Sequence, residues 1–413
     1  MATIKAFGGL DNQNDPFEYG LNRFAVAKNV DITRENKIVT RKGRTKLSSA
    51  QVECAASAKN SLIYQSENNL YQVSDKNGAK LVQANLTHSR WLSVCEVLNK
   101  IFWSNGVQIG VIEGNVSREI GIKSPETPIY GETTGTMPAG NYLYALTYTR
   151  NDGMESGATL SGQALINSGG IEVATPSQIP SNASRINLYL STVNGEILYF
   201  AGSYDINQAI KYQGDTLSFG IALENQFCNQ PLPFQASCYY KGRMYYAVGN
   251  VLWASLPFNL ELIDYTKDYL PFDADIVMVA EVSNGIYVAT ADKTYFLSGN
   301  DPQDFVSIEA LNYGAIRSAP VKADKVRDGS SAMLWASPKG AIAGFDGGQV
   351  LNITEGVFTF GSADNSAGVY REINGQRHLV ISLNTPKLNE NANAISQLRE
   401  ITAKITLPLL ELT

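Results

Sequence analysis

A strand–turn–strand unit that keeps returning constrains this chain more than any other feature. Its clearest copy is Lys241–Phe258, "KGRMYYAVGNVLWASLPF", an apolar run, a Gly-Asn turn and a second apolar run. Further copies begin at Ser61 ("SLIYQSENNLYQVS"), Lys100 ("KIFWSNGVQIGVIEG"), Gly285 ("GIYVATADKTYFLSG") and Ala332 ("AMLWASPKGAIAGFDG"). A weaker one, "RHLVISLN", begins at Arg377. Each carries an aliphatic residue (Leu62, Ile101, Met244, Ile286, Met333, Leu379) followed by an apolar pair such as Phe102-Trp103 or Tyr245-Tyr246. Most have another turn just upstream, with Asn-Gly or Asp-Gly supplying the positive φ of a tight hairpin. The unit therefore reads strand–turn–strand–turn–strand, an antiparallel meander.

The aliphatic positions lie 39, 42, 47 and 46 residues apart within the two runs of copies. A period in the forties with several strands per unit is the mark of β-propeller blades. One interval breaks the rule: Ile101 to Met244 spans 143 residues. Removing one period leaves about 100 residues, the size of an immunoglobulin-like sandwich. The extra segment opens "SPETPIYGETTG" and closes "CNQPLPF". Within it Tyr142, Tyr144, Leu146 and Tyr148 alternate onto one face, and "SRINLYLSTVNGEILYFAGSY" reads as a hairpin.

The expected fold is all-β: a propeller of about six antiparallel blades carrying an inserted fibronectin-III/immunoglobulin-like β-sandwich. The expected division is 1–50, an N-terminal arm and propeller-closing strand; 51–124, the first blades; 125–232, the sandwich; 233–384, the remaining blades; 385–413, a C-terminal extension. That last stretch lacks the turn-and-aromatic pattern of a blade, so "NKIVTRKG" of the arm is a candidate to complete the ring. Trp103, Trp253 and Trp335 sit inside the repeat and are expected to be structural blade residues.

Chemistry-bearing motifs are few. Cys54, Cys95, Cys228 and Cys238 have no C-x-x-C spacing and read as buried free thiols. His88 and His378 lack metal-ligand spacing, and Asp273/Asp275 sit on a turn-like stretch. There is no G-x-S-x-G, no phosphate-cradling glycine loop and no S-x-D-x-G-x-x-W box. The expectation is no catalysis, no cofactor and no metal. No signal-like h-region and no long apolar run occurs, so no membrane anchor and assembly in a cytoplasm are expected.

Net charge is −6 and unevenly placed. Residues 1–48 carry nine Lys/Arg against five Asp/Glu, which leaves the remainder at −10. Such a body repels nucleic acid. The basic run Thr33–Lys46, "TRENKIVTRKGRTK", reads as a solvated hairpin, as a dock for an acidic protein surface, or as a DNA contact lacking interleaved aromatics.

The N-terminal "FGGLDNQNDPFEYGLNRFAVAKNVDITRENKIVTRKGRTKL" carries the pattern G-G-L…D-P…A-x-N-V-D-I…R-K-G on Gly8, Gly9, Leu10, Asp15, Pro16, Ala27, Asn29, Val30, Asp31, Ile32, Arg41, Lys42 and Gly43. This opening resembles that of structural proteins from short-tailed bacteriophages, the tail hub or nozzle family. The resemblance implies a virion tail protein: a homohexameric ring below the head-to-tail adaptor that forms the DNA exit channel and helps retain the packaged genome. It implies as partners the adaptor, tail fibre or spike proteins, and genomic DNA passing through the lumen without sequence-specific binding. Arg41, Lys42 and Arg44 are then expected to dock on acidic groups of a neighbouring subunit or the adaptor. The alternative is a carbohydrate- or receptor-binding propeller component of a phage tail.

Overall fold

The computed structural model of the chain describes residues 9–15, 17–18, 22–24, 30–32, 37–40, 43, 51–74, 78–215, 218–327, 329–373, 376–384 and 400–406. The secondary structure of these residues is β-strand, with only short 3-10 turns besides. Each sequence repeat supplies the second and third strands of an antiparallel meander, except the weaker copy at Arg377, which is a second strand alone. In the copy at Lys241–Phe258, Arg243–Val248 pairs with Val251–Leu256, placing Tyr245 opposite Ala254 and Tyr246 opposite Trp253. Ala236–Tyr240 adds on the other side, with Tyr239 opposite Met244.

The first meander runs over Cys54–Ala58, Ser61–Ser66, Asn69–Val73 and Ala79–Gln83. The second covers Ser93–Val97, Lys100–Ser104, Ile109–Glu113 and Val116–Arg118. The third starts at Ala236–Tyr240 and gains two extra short strands, Cys228–Asn229 and Tyr269–Pro271, at its outer side. The fourth spans Met278–Val282 to Val306–Leu311, and the fifth spans Val321–Arg327 to Val350–Asn352. The sixth has three strands, Asn365–Ile373, Gln376–Asn384 and Glu400–Thr406. Tight two-residue turns join many of the strands, and several use residues that are not glycine: Glu67-Asn68 and Leu98-Asn99 both hold φ between 50° and 63°. Two consecutive positive φ values match the right-handed twist of the flanking strands.

Consecutive residues on a strand point to opposite faces, so a strand facing water on one side should alternate in burial. Here the apolar pairs are buried at both positions: Phe102 and Trp103 at 1% and 2% exposure, Tyr245 and Tyr246 at 0% each. Both faces of these sheets are therefore covered, and the layers identify by what. Trp103 and Ile63 share a core between the first two meanders. Phe102 and Tyr246 share one between the second and third, Tyr245 and Val288 one between the third and fourth. Tyr287 and Trp335 pack together between the fourth and fifth, with ring centroids 5.4 Å apart. Leu334 and Leu379 belong to the layer between the fifth and sixth. Sheets stacked face to face in sequence order have the radial packing of a β-propeller.

Residues 130–212 form a separate pair of sheets between the second and third meanders. Tyr130–Met137, Gly169–Val173 and Ile210–Tyr212 make one; Gly162–Ile166, Gly140–Thr149, Arg185–Ser191 and Leu198–Asp205 make the other. Tyr142, Leu146 and Tyr148 are fully buried and Tyr144 nearly so, facing Ile171, Val173 and Ile210 across the pair.

Two features depart from the sequence reading of the chain ends. Ile38–Thr40 pairs with Val30–Ile32 in a hairpin of its own and, among the described residues, adds to no meander. The third strand of the sixth meander is instead Glu400–Thr406, within the expected C-terminal extension. The sequence "EITAKIT" has the period-two alternation of a strand but neither aromatic nor turn residues, so it does not carry the pattern of the other blades.

Candidate functional site

Three places on this framework hold unusual chemistry, and each is built from residues far apart in sequence. The first is the N-terminal segment. Gly9–Leu10 pairs in parallel with Arg23–Phe24, and Asp11 then begins a tight polar turn. Asp11 is 1% exposed and accepts from the Gln13 and Asn14 amides, the Asn14 side chain and Arg23, the last at 2.7 Å. Burial would raise its carboxyl, but the Asn14 and Arg23 side chains with the two amides outweigh it and hold the group at about 2. This turn docks on the loop between the fifth and sixth meanders. Asn12 donates to the Thr359 carbonyl (2.8 Å) and accepts from the Thr359 amide (2.9 Å), mimicking a strand pair. The Asn12 amide donates to Val357 O, and the Asn14 side chain to Gly356 O. The docking residues Asn12 and Asn14 lie between the Gly8-Gly9-Leu10 and Asp15-Pro16 parts of the N-terminal pattern. Arg41, Lys42 and Arg44 lie outside the described residues.

The second place joins the two-sheet unit to the propeller-like body. Glu261, on Asn259–Asp264 of the third meander, is 5% exposed. It receives Arg118 of the second meander in a bidentate pair (2.7 and 2.6 Å), Arg150 of the two-sheet unit at 3.3 Å, and the Gly121 amide at 2.8 Å. Burial raises the carboxyl of Glu261, but the Arg118 and Gly121 hydrogen bonds and both guanidinium charges hold it below its ordinary value. Gly121 has φ +67° and packs so closely that a Cβ would meet the Glu261 carbonyl oxygen. Where the chain returns to the body, the Cys228 carbonyl packs so closely on Gly157 of the two-sheet unit that a Cβ there would overlap it. Beside this junction lies a cleft of about 590 Å³ lined in part by Trp103, Arg118, Lys123 and Gln230.

The third place is at the start of the first strands. Trp91 precedes the second meander and donates from Nε1 to the Gln235 carbonyl at 2.7 Å, just before the third. Arg317, just before the fifth, lies over the Trp91 ring at 5.8 Å. Its carbonyl accepts from the Ser366 amide of the sixth meander. These contacts tie together the starts of four meanders. Between the sixth and the first there is a polar cleft of about 480 Å³ bordered by Glu53, His88, Arg90, Asn365 and Asn384.

The remaining sequence candidates are placed as follows. All four cysteines are free. Burial raises each thiol, to about 11 for Cys54 and about 12 for Cys228. Such thiols carry almost no thiolate near neutrality. His88 is exposed and lies 3.1 Å from Glu53, while His378 is buried within the sixth meander. Asp273 and Asp275 are exposed. Trp103 and Trp335 are buried, whereas Trp253 is only partly so, leaning on Tyr265 and Tyr269 at 4.7 and 5.3 Å. No group of three potential metal-ligating side chains occurs among the described residues. The Glu261 junction escaped the sequence reading because its partners are 143 and 111 positions away.

No family model matches the chain, and no curated protein matches it in sequence. Among solved structures it is similar to the computationally designed Ika8 protein (8% identity, 82% of this chain and 84% of that one, TM-score 0.33). It is also similar to the Neurospora crassa Pan2 WD40 domain (8%, 80% and 86%, TM-score 0.34). A third similarity is to BBS1N in its complex with ARL6DN (11%, 88% and 94%, TM-score 0.33). Scores of this size carry no functional argument; the architecture rests on the paired strands and the cores that neighbouring sheets share.

Proposed function

We propose that this chain is a structural subunit of a short-tailed phage tail: a nozzle or hub ring beneath the head-to-tail adaptor, without catalytic activity. In this reading the six meanders are the blades of one closed propeller, and residues 125–232 are an inserted β-sandwich. The observation that carries it is the Asp11-centred turn. The stretch with the phage-like motif is folded into a specific polar dock on the body, as an assembly element would be. The Trp91–Arg317 contact across the starts of the first strands adds a constraint. With that end of the propeller axis spanned, duplex DNA would pass through a lumen lined by several copies, not through one chain. A body at −10 suits such a wall, since every phosphate contact would add salt-dependent affinity and slow passage.

The experiment is addition of purified full-length chain to DNA-filled, tailless heads. Changing Arg41, Lys42 and Arg44 together to Glu should block addition while leaving the melting temperature nearly unchanged, because exposed ion pairs are worth only about 0–1 kcal/mol each in folding. Raised salt should weaken addition of the unaltered chain as well. Failure of the unaltered chain to bind heads at any salt concentration removes the reading. Normal addition of the triple variant with leakage of genome would place the basic run at the lumen instead.

A further inference from the structure

The N-terminal turn is docked without being part of the core. None of the apolar clusters among the described residues contains a residue before Cys54. The segment is held by Asn12 and Asn14 on the backbone of 356–359, contacts that would be the same for an arm from another chain. Directly beyond, Asp15 organises a second small turn, accepting from the Phe17 amide at its carboxylate (2.9 Å) and from the Glu18 amide at its carbonyl. That turn holds Phe17 outward at 98% exposure, an aromatic ring left uncovered by the described residues.

We infer that in the assembled protein the Asp11–Asn14 turn of one copy docks on residues 356–359 of the next, with Phe17 packing on that neighbour. The proposal rests on the ring reading above and identifies the surface that links its copies. The connection allows it: with the Val30–Thr40 hairpin folded, the rest of the chain between Phe24 and Gln51 can span on the order of 50 Å. An element exchanged between identical chains keeps all its contacts, so exchange costs little, while burial of Phe17 favours the neighbour. In a closed ring each copy then gives one arm and receives one, and the neighbouring loop is presented at high effective concentration.

The test uses two full-length variants, Asn12→Cys and Thr359→Cys, purified separately, mixed, assembled on heads and oxidised. The native thiols of Cys54, Cys228 and Cys238 are buried and Cys95 is partly so, and the unaltered chain, oxidised in parallel, reports any bridge that they form. The mixture should give a covalent two-chain product absent from either variant alone. The double variant should give a ladder of linked chains. A mixture that stays at single-chain size overturns the inference. If the double variant then runs as an internally bridged single chain, the arm clasps its own body. If it bridges in neither way, 356–359 is not the arm's dock in solution. The ring reading is judged separately by the mass of the assembly: rings with internally bridged arms would refute only the exchange. Exchanged pairs that never exceed two chains would refute only the ring.

Discussion

Replacing Glu261 by Gln should loosen the joint between the two-sheet unit and the propeller-like body. Gln keeps the shape and one acceptor oxygen but turns the other position into a donor facing the guanidinium groups. Breaking a buried ion pair from one side costs about 3–5 kcal/mol when the remaining charge is fully desolvated. Here the remaining charges are not stranded. Arg118 keeps Glu113 and is 24% exposed, and Arg150 keeps Asp152. The expected loss is therefore smaller, about 2–3 kcal/mol. It should appear in urea unfolding of the full chain, and locally as faster hydrogen exchange at the Gly121 amide, which loses its 2.8 Å acceptor or keeps a weaker one. The pH dependence has a definite sign. The folded-state carboxyl of Glu261 is depressed, so its contribution is complete above the unfolded value of about 4.3 and is lost as pH falls through the folded value. The difference between the unaltered chain and the variant should be constant from pH 8 to 5 and close at lower pH. A loss under about 0.5 kcal/mol, the range of ordinary surface changes, would refute the idea that this network fixes the joint.

Trp103→Ala should cost about 3–5 kcal/mol by calorimetry or denaturant titration, since its ring fills the layer between the first two meanders. Trp253→Ala should cost less, about 1–3 kcal/mol, because that ring is partly exposed against two tyrosines; equal losses would contradict the assigned faces. Gly157→Ala must push the Cys228 carbonyl aside, and a destabilisation above about 2 kcal/mol is expected from such overlap in a packed joint. In the native chain at pH 8 a thiol reagent should label Cys54 and Cys228 only after denaturant is added, given thiols raised to about 11 and 12; rapid labelling would show that these strands open.

Much of the architecture was legible because it is periodic. Apolar pairs such as Tyr245-Tyr246 and Leu334-Trp335 are buried on both faces, a pattern that only a sheet covered on both sides tolerates, and the residues recur at a measurable interval. The break in that interval located the two-sheet unit, and Tyr142, Tyr144, Leu146 and Tyr148 marked its inward face. Two of the outermost strands were not legible: Val116–Arg118 and Val350–Asn352 are three residues long and half exposed, too short to carry a period. Glu400–Thr406 was missed for want of aromatic residues. The docks were invisible for another reason. Asn12 on Thr359, Arg317 on Trp91 and Arg150 on Glu261 are single polar residues whose meaning appears only once the chain has folded back on itself. The resemblance drew attention to the segment containing Asp11 but not to its partner.

The proposal that this chain builds a conduit from several copies is tested most directly by electron microscopy of the full-length chain added to DNA-filled, tailless heads. The expected image is a ring of identical copies at the tail vertex, surrounding a lumen wide enough for duplex DNA, with the axis of each individual propeller outside that lumen. Copies bound singly around the vertex, or DNA density running along the axis of a single propeller, would contradict it.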